Sequence, residues 1–273
     1  MSDQPHRAFP MIGTPAERSH VKPRKHGQTM MVDWGLPLRR LEDLLDMCGD
    51  YLDLAKFAVG SVRVYEERQL VSKLALYRDH GVRCFIGGGI GERLFALDGR
   101  DALPRLFAEA RRVGFEAIEV SDNYITLDRD ERFRQVRLAL DVGLAVLGEI
   151  GSKHGHTDVD FLVQQANDCF DAGAELVIVE GYELIEAGKP KRAFIEALKA
   201  RLDLARTLFE LPGPWISGVN PAEVQDLKKF LIAEFGPDVS IGNLMPDDIF
   251  ETEMARQGLS VVQPTQVRHQ VAS

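Results

Sequence analysis

Short apolar runs alternate with amphipathic stretches along almost the whole chain. Short apolar runs that end in glycine, proline or charged residues predict buried strands, and apolar residues spaced three and four apart predict helices. The pattern predicts strands near residues 28–35, 51–57, 82–86, 115–122, 144–149, 174–181, 214–217 and 239–243. It predicts helices over residues 38–47, 64–80, 93–113, 127–142, 158–172, 193–211, 221–235 and 246–257, with a break near Gly99 in the third.

Strands that alternate with helices in this way form parallel sheets. About eight such units in about 250 residues favour a closed barrel over an open sheet. We therefore predict a single α/β domain, a (β/α)8 TIM-type barrel over residues 28–260. An irregular, loosely ordered arm at residues 1–27 is expected before it and an irregular tail at residues 261–273 after it.

The composition and net charge of the chain limit the kinds of molecule that it is expected to bind. The chain has 273 residues, 45% hydrophobic and 27% charged, with a net charge of −9. An acidic protein of this kind is not expected to bind nucleic acid or an anionic membrane. Its three scattered cysteines fit a reducing cytoplasm, and no apolar run approaches the roughly 20 residues of a membrane span.

The predicted strands share a feature at their carboxyl ends, where polar and charged residues follow. These are Asp33, Lys56, the loop at residues 87–92, Glu119 with Ser121 and Asp122, Glu149 with Lys153, Glu180 with Glu183, and Asn243. In (β/α)8 barrels the active site lies at this end of the strands. So many carboxylates at the mouth of one barrel would repel one another. A bound divalent cation that neutralises them is the simplest explanation. Oxygen ligands favour magnesium or manganese over zinc.

A glycine-rich loop, Gly87-Gly88-Gly89, precedes the third predicted helix. Its backbone N–H groups suit a phosphate or a carboxylate. A sharp turn after the strand is the alternative interpretation, because glycines serve that purpose too. The loop is neither a Walker motif nor a dinucleotide fingerprint.

Other interpretations of the strand-end residues remain open. Asp33 could cap the following helix. Lys56 could pair with Asp53 or Asp33, and Glu183 and Asp122 could be ordinary solvated acids.

Several stretches, in order from Gly27 to Leu259, resemble the phosphosulfolactate synthase family. They are Val32-Asp-Trp-Gly-Leu-Pro37, Cys48-Gly-Asp-Tyr-Leu-Asp-Leu-Ala-Lys-Phe57, Gly87-Gly with Glu92, Gly114-Phe-Glu-Ala-Ile-Glu-Val-Ser-Asp122, Glu149-Ile-Gly-Ser-Lys153, Asp171-Ala-Gly-Ala174, Val179-Glu-Gly181, and Phe235-Gly-Pro with Gly242-Asn243. The resemblance implies a barrel enzyme that uses Mg2+ to add sulfite to phosphoenolpyruvate, giving (2R)-phospho-3-sulfolactate. In that family the reaction opens coenzyme M synthesis, and the resemblance also implies a homo-oligomer, with a trimer as one form.

The resemblance and the strand ends together suggest roles. Lys153 would protonate the α carbon, Lys56 would hold an anionic oxygen, and Glu149 would be the third catalytic residue. The expected metal carboxylates are Asp33, Glu119 and Glu180. The expected substrate contacts are Gly87, Gly88, Gly89, Ser121 and Asn243.

The chain also departs from the family pattern where the family holds anions. Gly89-Ile-Gly91 replaces Thr-Leu-Phe, Ala58-Val-Gly-Ser61 replaces Gly-Trp-Gly-Thr, Tyr182 replaces an arginine, Ser240-Ile241 replaces Asn-Leu, and Ser260-Val-Val replaces Arg-Gly-Asp-Thr. The Phe-Glu-Ala-Pro expected near strand seven is missing, with Ile216-Ser-Gly-Val in that region. Two alternatives follow: a diverged enzyme that acts on another small enol or 2-keto acid, and a non-catalytic relative like the plant heat-stress proteins of the same family.

Overall fold

Eight parallel strands of this chain close into a barrel, as predicted. The structure, a computed structural model, describes residues 7–152, 155 and 157–261. The barrel strands are β1 (Thr29–Asp33), β2 (Leu54–Phe57), β3 (Arg83–Ile86), β4 (Ala117–Val120), β5 (Ala145–Ile150), β6 (Leu176–Val179), β9 (Thr207–Glu210) and β10 (Ile241–Leu244). They neighbour one another in chain order, and β10 pairs with β1 to close the barrel. A two-stranded antiparallel hairpin, β7 (Ile185–Glu186) and β8 (Lys189–Pro190), follows β6.

The helices form the outer layer. They are α1 (Leu38–Cys48), α2 (Glu67–Asp79), α3 (Gly89–Asp98), α4 (Leu103–Val113), α5 (Arg129–Asp141), α6 (Val159–Ala172), α7 (Arg192–Arg201), α8 (Pro221–Phe235) and α9 (Ile249–Arg256). The predicted break near Gly99 is confirmed, because that residue has a φ of +76° between α3 and α4. None of the helices in the described ranges has both the length and the apolar character that a membrane span requires.

Two apolar layers follow from the alternation of side chains along each strand. One layer fills the barrel and comprises Met30, Leu54, Phe85, Ala117, Leu147, Leu176, Ile178 and Leu208. The residues between them face outward, where they pack against helices. On α1, for example, Leu41, Leu45 and Cys48 are buried at helical spacing. The inward layer matters for function because the next inward position on most strands lies at the mouth.

The seventh barrel strand is not where the sequence pattern placed it. The prediction put it at residues 214–217 and extended the preceding helix to residue 211. In the structure α7 ends at Arg201, the strand is Thr207–Glu210, and residues 214–217 form a turn. The apolar residues at 202–211 are spaced as in a helix. In the structure, however, Leu208 packs inside the barrel and Phe209 outside it, which is the alternation of a strand.

The N-terminal arm has no helix or strand over its described residues 7–27. It is nevertheless anchored, in contrast to the loose arm that was expected. Arg18 is buried and ion-paired with Glu253 at 2.8 Å, and Arg24 with Asp53 at 2.9 Å. Lys22 donates to three backbone carbonyls. The arm therefore packs against its own barrel.

Candidate active site

Charged side chains occupy the inward positions at the carboxyl ends of five strands. Each lies two residues after an inward apolar residue, so strand alternation directs it into the barrel. All five are buried, with relative exposures of 7% or less: Lys56, Glu119, Glu149, Glu180 and Glu210. Four carboxylates thus surround one described ammonium.

Lys56 links two strands across the barrel. Its Nζ lies 2.7 Å from Glu119 Oε2 and 2.8 Å from Glu210 Oε1. Burial by itself would lower the pKa of Lys56, but the carboxylates of Glu119, Glu210 and Glu149 raise it well above its usual range. Lys56 is therefore a fixed positive charge. The alternative partners considered from the sequence, Asp53 and Asp33, bind other groups.

Glu119 contacts a backbone N–H and the Lys56 ammonium, and its pKa is raised. Its Oε1 accepts the Gly88 backbone N–H at 2.7 Å, and its Oε2 faces Lys56. Burial is the main cause that raises the pKa of Glu119 to about 8. The carboxylates of Glu149 and Glu210 also raise it, and the Lys56 ammonium opposes them by lowering it. Both oxygens of Glu119 therefore contact groups of the protein, and its expected role as a metal ligand stays a prediction.

Glu149, Glu180 and Glu210 form a carboxylate triad. One oxygen of each lies within 4.8 Å of the others, and all three are buried. Asn123 donates to Glu149 and Asn243 donates to Glu210, each at 2.8 Å. Carboxylate oxygens at this spacing are the donor set that a hard divalent cation prefers, so the triad fits the expected Mg2+.

A pocket opens above the cluster at the mouth of the barrel. It is lined in part by Lys56, Glu119, Glu149, Asn123, Asn243 and the three glycines Gly87, Gly88 and Gly89. Trp34 and Trp215 stand at its rim with their ring centroids 5.1 Å apart. The predicted convergence of Lys56, the glycine loop, Glu149 and Asn243 on one opening is therefore what the structure shows.

The glycine loop approaches β4 too closely for any side chain at Gly88. A Cβ there would lie 2.0 Å from the Ser121 hydroxyl oxygen. Ser121 itself donates a short hydrogen bond to Glu92 and is not among the residues that line the pocket. It therefore supports the loop, and the structure does not place it as the expected substrate contact.

Asp33 lies outside the cluster, which corrects the expectation that it binds the metal. Because Met30 and Val32 face inward, alternation turns Asp33 outward toward α2. Its carboxylate lies 2.6 Å from Lys73 Nζ and accepts from Tyr77 at 2.8 Å. The same carboxylate accepts from the backbone of the loop that follows, so it holds that loop and does not cap α1.

Lys153, the predicted proton donor, lies outside the described residues. The described residues on either side of it are held by one carboxylate. Glu183 accepts the backbone N–H groups of Ser152 and Thr157, each at 2.9 Å. Glu183 is fully buried and is not the solvated acid considered from the sequence.

Glu210 is the main residue that the sequence analysis missed. The signal was present: Leu208-Phe209-Glu210 has the same apolar run ending in glutamate as the other strands. It was hidden because the preceding helix had been extended through it. Phe209-Glu210-Leu211-Pro212 also carries the phenylalanine, glutamate and proline of the Phe-Glu-Ala-Pro expected near strand seven.

The fold and the site define a (β/α)8-barrel protein with a buried lysine–carboxylate cluster at the catalytic end. The chain matches the family model described as (2R)-phospho-3-sulfolactate synthase (ComA) over residues 17–261, and it belongs to that family. It is an enzyme of the phosphosulfolactate synthase type.

Individual relatives agree with this membership. The chain is 30% identical to the phosphosulfolactate synthase of Methanocaldococcus jannaschii over 246 residues, covering 86% of this chain and 92% of that protein. It is 26% identical to the phosphosulfolactate synthase of Bacillus subtilis, covering 87% of this chain and 92% of the relative. It is also 23% identical to Protein HEAT-STRESS-ASSOCIATED 32 of Arabidopsis thaliana, covering 81% and 82%.

Solved structures of other enzymes share the barrel. Truncated 3-deoxy-D-arabino-heptulosonate 7-phosphate synthase from Thermotoga maritima matches with a TM-score of 0.54 at 15% identity, covering 85% of this chain and 86% of that one. 3-Hexulose-6-phosphate synthase from Salmonella typhimurium matches with a TM-score of 0.52 at 16% identity, covering 85% and 99%. At these identities the likeness concerns the fold alone.

Proposed function

We propose that this enzyme adds sulfite to phosphoenolpyruvate in a Mg2+-dependent reaction that gives (2R)-phospho-3-sulfolactate. The observation that carries the proposal is the buried cluster of Lys56 with Glu119, Glu149, Glu180 and Glu210 at the barrel mouth. It combines a fixed cation with a carboxylate triad in a chain of this family. A homo-oligomeric state and a cytoplasmic location stay predictions from the sequence.

The proposed reaction consumes the carbon–carbon double bond of the substrate and keeps its phosphate. The sulfur lone pair attacks the methylene carbon, and a carbon–sulfur bond forms. The π electrons move to the α carbon beside the carboxylate, and a proton is then added there. A site for this reaction must bind anionic oxygens, stabilise the developing charge and deliver one proton.

The described residues can meet the first two needs. Glu149, Glu180 and Glu210 would hold Mg2+, which when bound would supply positive charge to the developing enolate-like oxygen. Lys56 is ion-paired with Glu119 and Glu210 and lines the pocket, where its charge favours an anionic substrate oxygen. Protonation of the α carbon is assigned to Lys153, on the family's lysine alone.

A 31P NMR experiment tests the proposal. The enzyme is incubated with phosphoenolpyruvate, sulfite and Mg2+, and with each component omitted in turn. We expect one phosphate ester to be converted into another without free phosphate, only when all three are present. Lys153→Ala should lose the conversion while it keeps its fold. Absence of conversion by folded enzyme in the complete mixture would contradict the proposal.

A second candidate function is favoured by the residues that line the mouth. Ala58, Val59 and Gly89 all line the pocket, and all three stand where the family pattern has other residues. The enzyme could therefore act on a different small enol or 2-keto acid. Thermal-shift screening of such acids with Mg2+ separates the two functions. Stabilisation by phosphoenolpyruvate alone would count against the second.

A further inference from the structure

Two asparagines flank the carboxylate triad in matching ways. Asn123 follows β4 and Asn243 lies in β10, and each is only 9% exposed. The Asn123 amide nitrogen donates to Glu149 Oε2, and the Asn243 amide nitrogen donates to Glu210 Oε2, each at 2.8 Å. Each asparagine thus holds one member of the triad in place.

These hydrogen bonds fix the orientation of both amides. An ionised carboxylate only accepts hydrogen bonds, so each amide must turn its NH2 group toward the glutamate. Rotating either amide by half a turn would bring two acceptor oxygens to about hydrogen-bond distance, where they repel. The Oδ1 atoms therefore point away from the glutamates.

Both Oδ1 atoms are buried without a hydrogen-bond donor among the described residues, although both asparagines line the mouth pocket. A buried acceptor left without a partner costs about 1–3 kcal/mol. Two such acceptors beside one pocket therefore indicate that a ligand satisfies them.

The chemistry of the surroundings identifies the kind of ligand. The pocket already contains more carboxylates than cations, and the proposed substrates are anions whose oxygens are acceptors. Two further acceptor oxygens would repel such groups, but they would attract a cation or the water bound to it. Mg2+ prefers oxygen ligands and usually retains several water molecules.

We propose that Asn123 and Asn243 belong to the binding site of the divalent cation, with each Oδ1 contacting the ion directly or through its bound water. The inference rests on the proposed function in one respect, because it places the cation at Glu149, Glu180 and Glu210. It adds two neutral oxygen ligands. The amide nitrogens hold Glu149 and Glu210, and the amide oxygens face the cation.

Metal affinity tests this inference without any measurement of turnover. Free Mn2+ is measured by electron paramagnetic resonance during titration of the enzyme, and Mg2+ is measured by competition. Asn123→Ala and Asn243→Gly should weaken Mn2+ binding by about 10–100-fold. Glycine suits position 243, where φ is +60°. Asn167→Ala, on an exposed position of α6, is the matched control and should bind as the wild type does.

Aspartate variants separate a ligand from a residue that only orients its neighbour. Asn123→Asp and Asn243→Asp keep an oxygen toward the cation but lose the donor to Glu149 or Glu210. If the oxygens face the cation, the aspartate variants bind Mn2+ at least as tightly as the wild type. If the asparagines only orient the glutamates, the aspartate variants are as weak as Asn123→Ala and Asn243→Gly, and the inference is wrong. Thermal unfolding confirms that each variant is folded.

The outcomes distinguish the inference from the proposed function. Unchanged Mn2+ affinity in folded Asn123→Ala and Asn243→Gly would overturn the inference and leave the proposed reaction standing. Weakened Mn2+ affinity of these two variants, together with a wild-type enzyme that shows no sulfite-dependent conversion, would support the inference and contradict the proposed reaction. A wild-type enzyme that binds neither Mn2+ nor Mg2+ would overturn the inference together with the metal dependence of the proposed function.

Discussion

Glu119 shows how a single buried residue can make the stability of the enzyme depend on pH. Its pKa is raised to about 8 by burial, whereas an unfolded glutamate titrates near its ordinary value of about 4.3. Between these two values the folded state holds one proton more than the unfolded state. The free energy of unfolding therefore falls as pH rises through this window, by at most about 1.4 kcal/mol per pH unit for this one group.

Denaturant unfolding of the metal-free enzyme from pH 5 to pH 8 measures this effect. Glu119→Gln keeps an acceptor and cannot titrate, so its stability should fall less steeply than that of the wild type. Chelator is present in every sample, because a bound cation would favour the ionised carboxylates. Parallel curves for the two proteins would show that Glu119 is already ionised at pH 5.

Which charged residues would face the mouth was partly predictable from the sequence. Lys56, Glu119, Glu149 and Glu180 were found because each directly follows an apolar run. Asp33 also follows an apolar run, but it directly follows the inward residue Val32. Because neighbouring residues of a strand point to opposite faces of the sheet, its side chain points out of the barrel. The identity of each partner was not predictable, because Lys56 and Glu210 are 154 positions apart in the chain.

Element boundaries decided how much of the site the sequence could show. The positions of seven barrel strands were predicted close to where they lie, since turn residues and polar ends delimit them. The error at β9 had a larger consequence, because the short connection at residues 202–206 carries no glycine or proline to mark the end of α7. One misplaced helix end therefore concealed Glu210.

Helix α5 holds the ends of two neighbouring strands through Arg132. This buried residue donates to the Glu149 backbone carbonyl at 3.2 Å and pairs with Asp122 at 2.7 Å. Asn123, next to Asp122, donates to the Glu149 side chain, so the contacts form a closed ring. We infer that Arg132 is a positioning residue for Glu149.

Arg132→Met should destabilise the enzyme by about 3–5 kcal/mol, because it leaves the Asp122 carboxylate without its buried partner. It should also weaken Mn2+ binding, since α5 no longer holds the backbone carbonyl of Glu149. Denaturant unfolding and the Mn2+ titration measure the two effects. Arg137→Met, at an exposed position of the same helix, is the control and should change little. Equal effects of the two substitutions would refute the positioning role.

At the scale of the whole molecule, the N-terminal arm is tied to the barrel by buried ion pairs and hydrogen bonds. Arg18 reaches Glu253 on α9, Asp238 before β10 and the backbone carbonyl of Gly27, and its side chain is fully buried. Such contacts tie the N-terminal arm to helix α9. The arm therefore contributes to the stability of the barrel.

Arg18→Met should lower the free energy of unfolding by about 3–5 kcal/mol, because Glu253 stays buried and loses its cation. Arg7→Met removes an exposed pair with Asp50 and is the matched control, expected to change little. Denaturant unfolding compares the two variants with the wild type. An Arg18→Met protein as stable as the Arg7→Met protein would show that the arm only covers the surface.

The central claim is that the buried cluster at the barrel mouth performs the reaction, and Glu210 tests it most directly. It binds Lys56 and Asn243 and belongs to the carboxylate triad. The measurement is the initial rate of sulfite-dependent loss of phosphoenolpyruvate at saturating Mg2+, with Glu196→Gln on α7 as the control for an exposed glutamate. The account predicts that Glu210→Gln lowers the rate by about 100-fold or more while Glu196→Gln leaves it unchanged. A folded Glu210→Gln enzyme with the rate of the wild type would contradict the account.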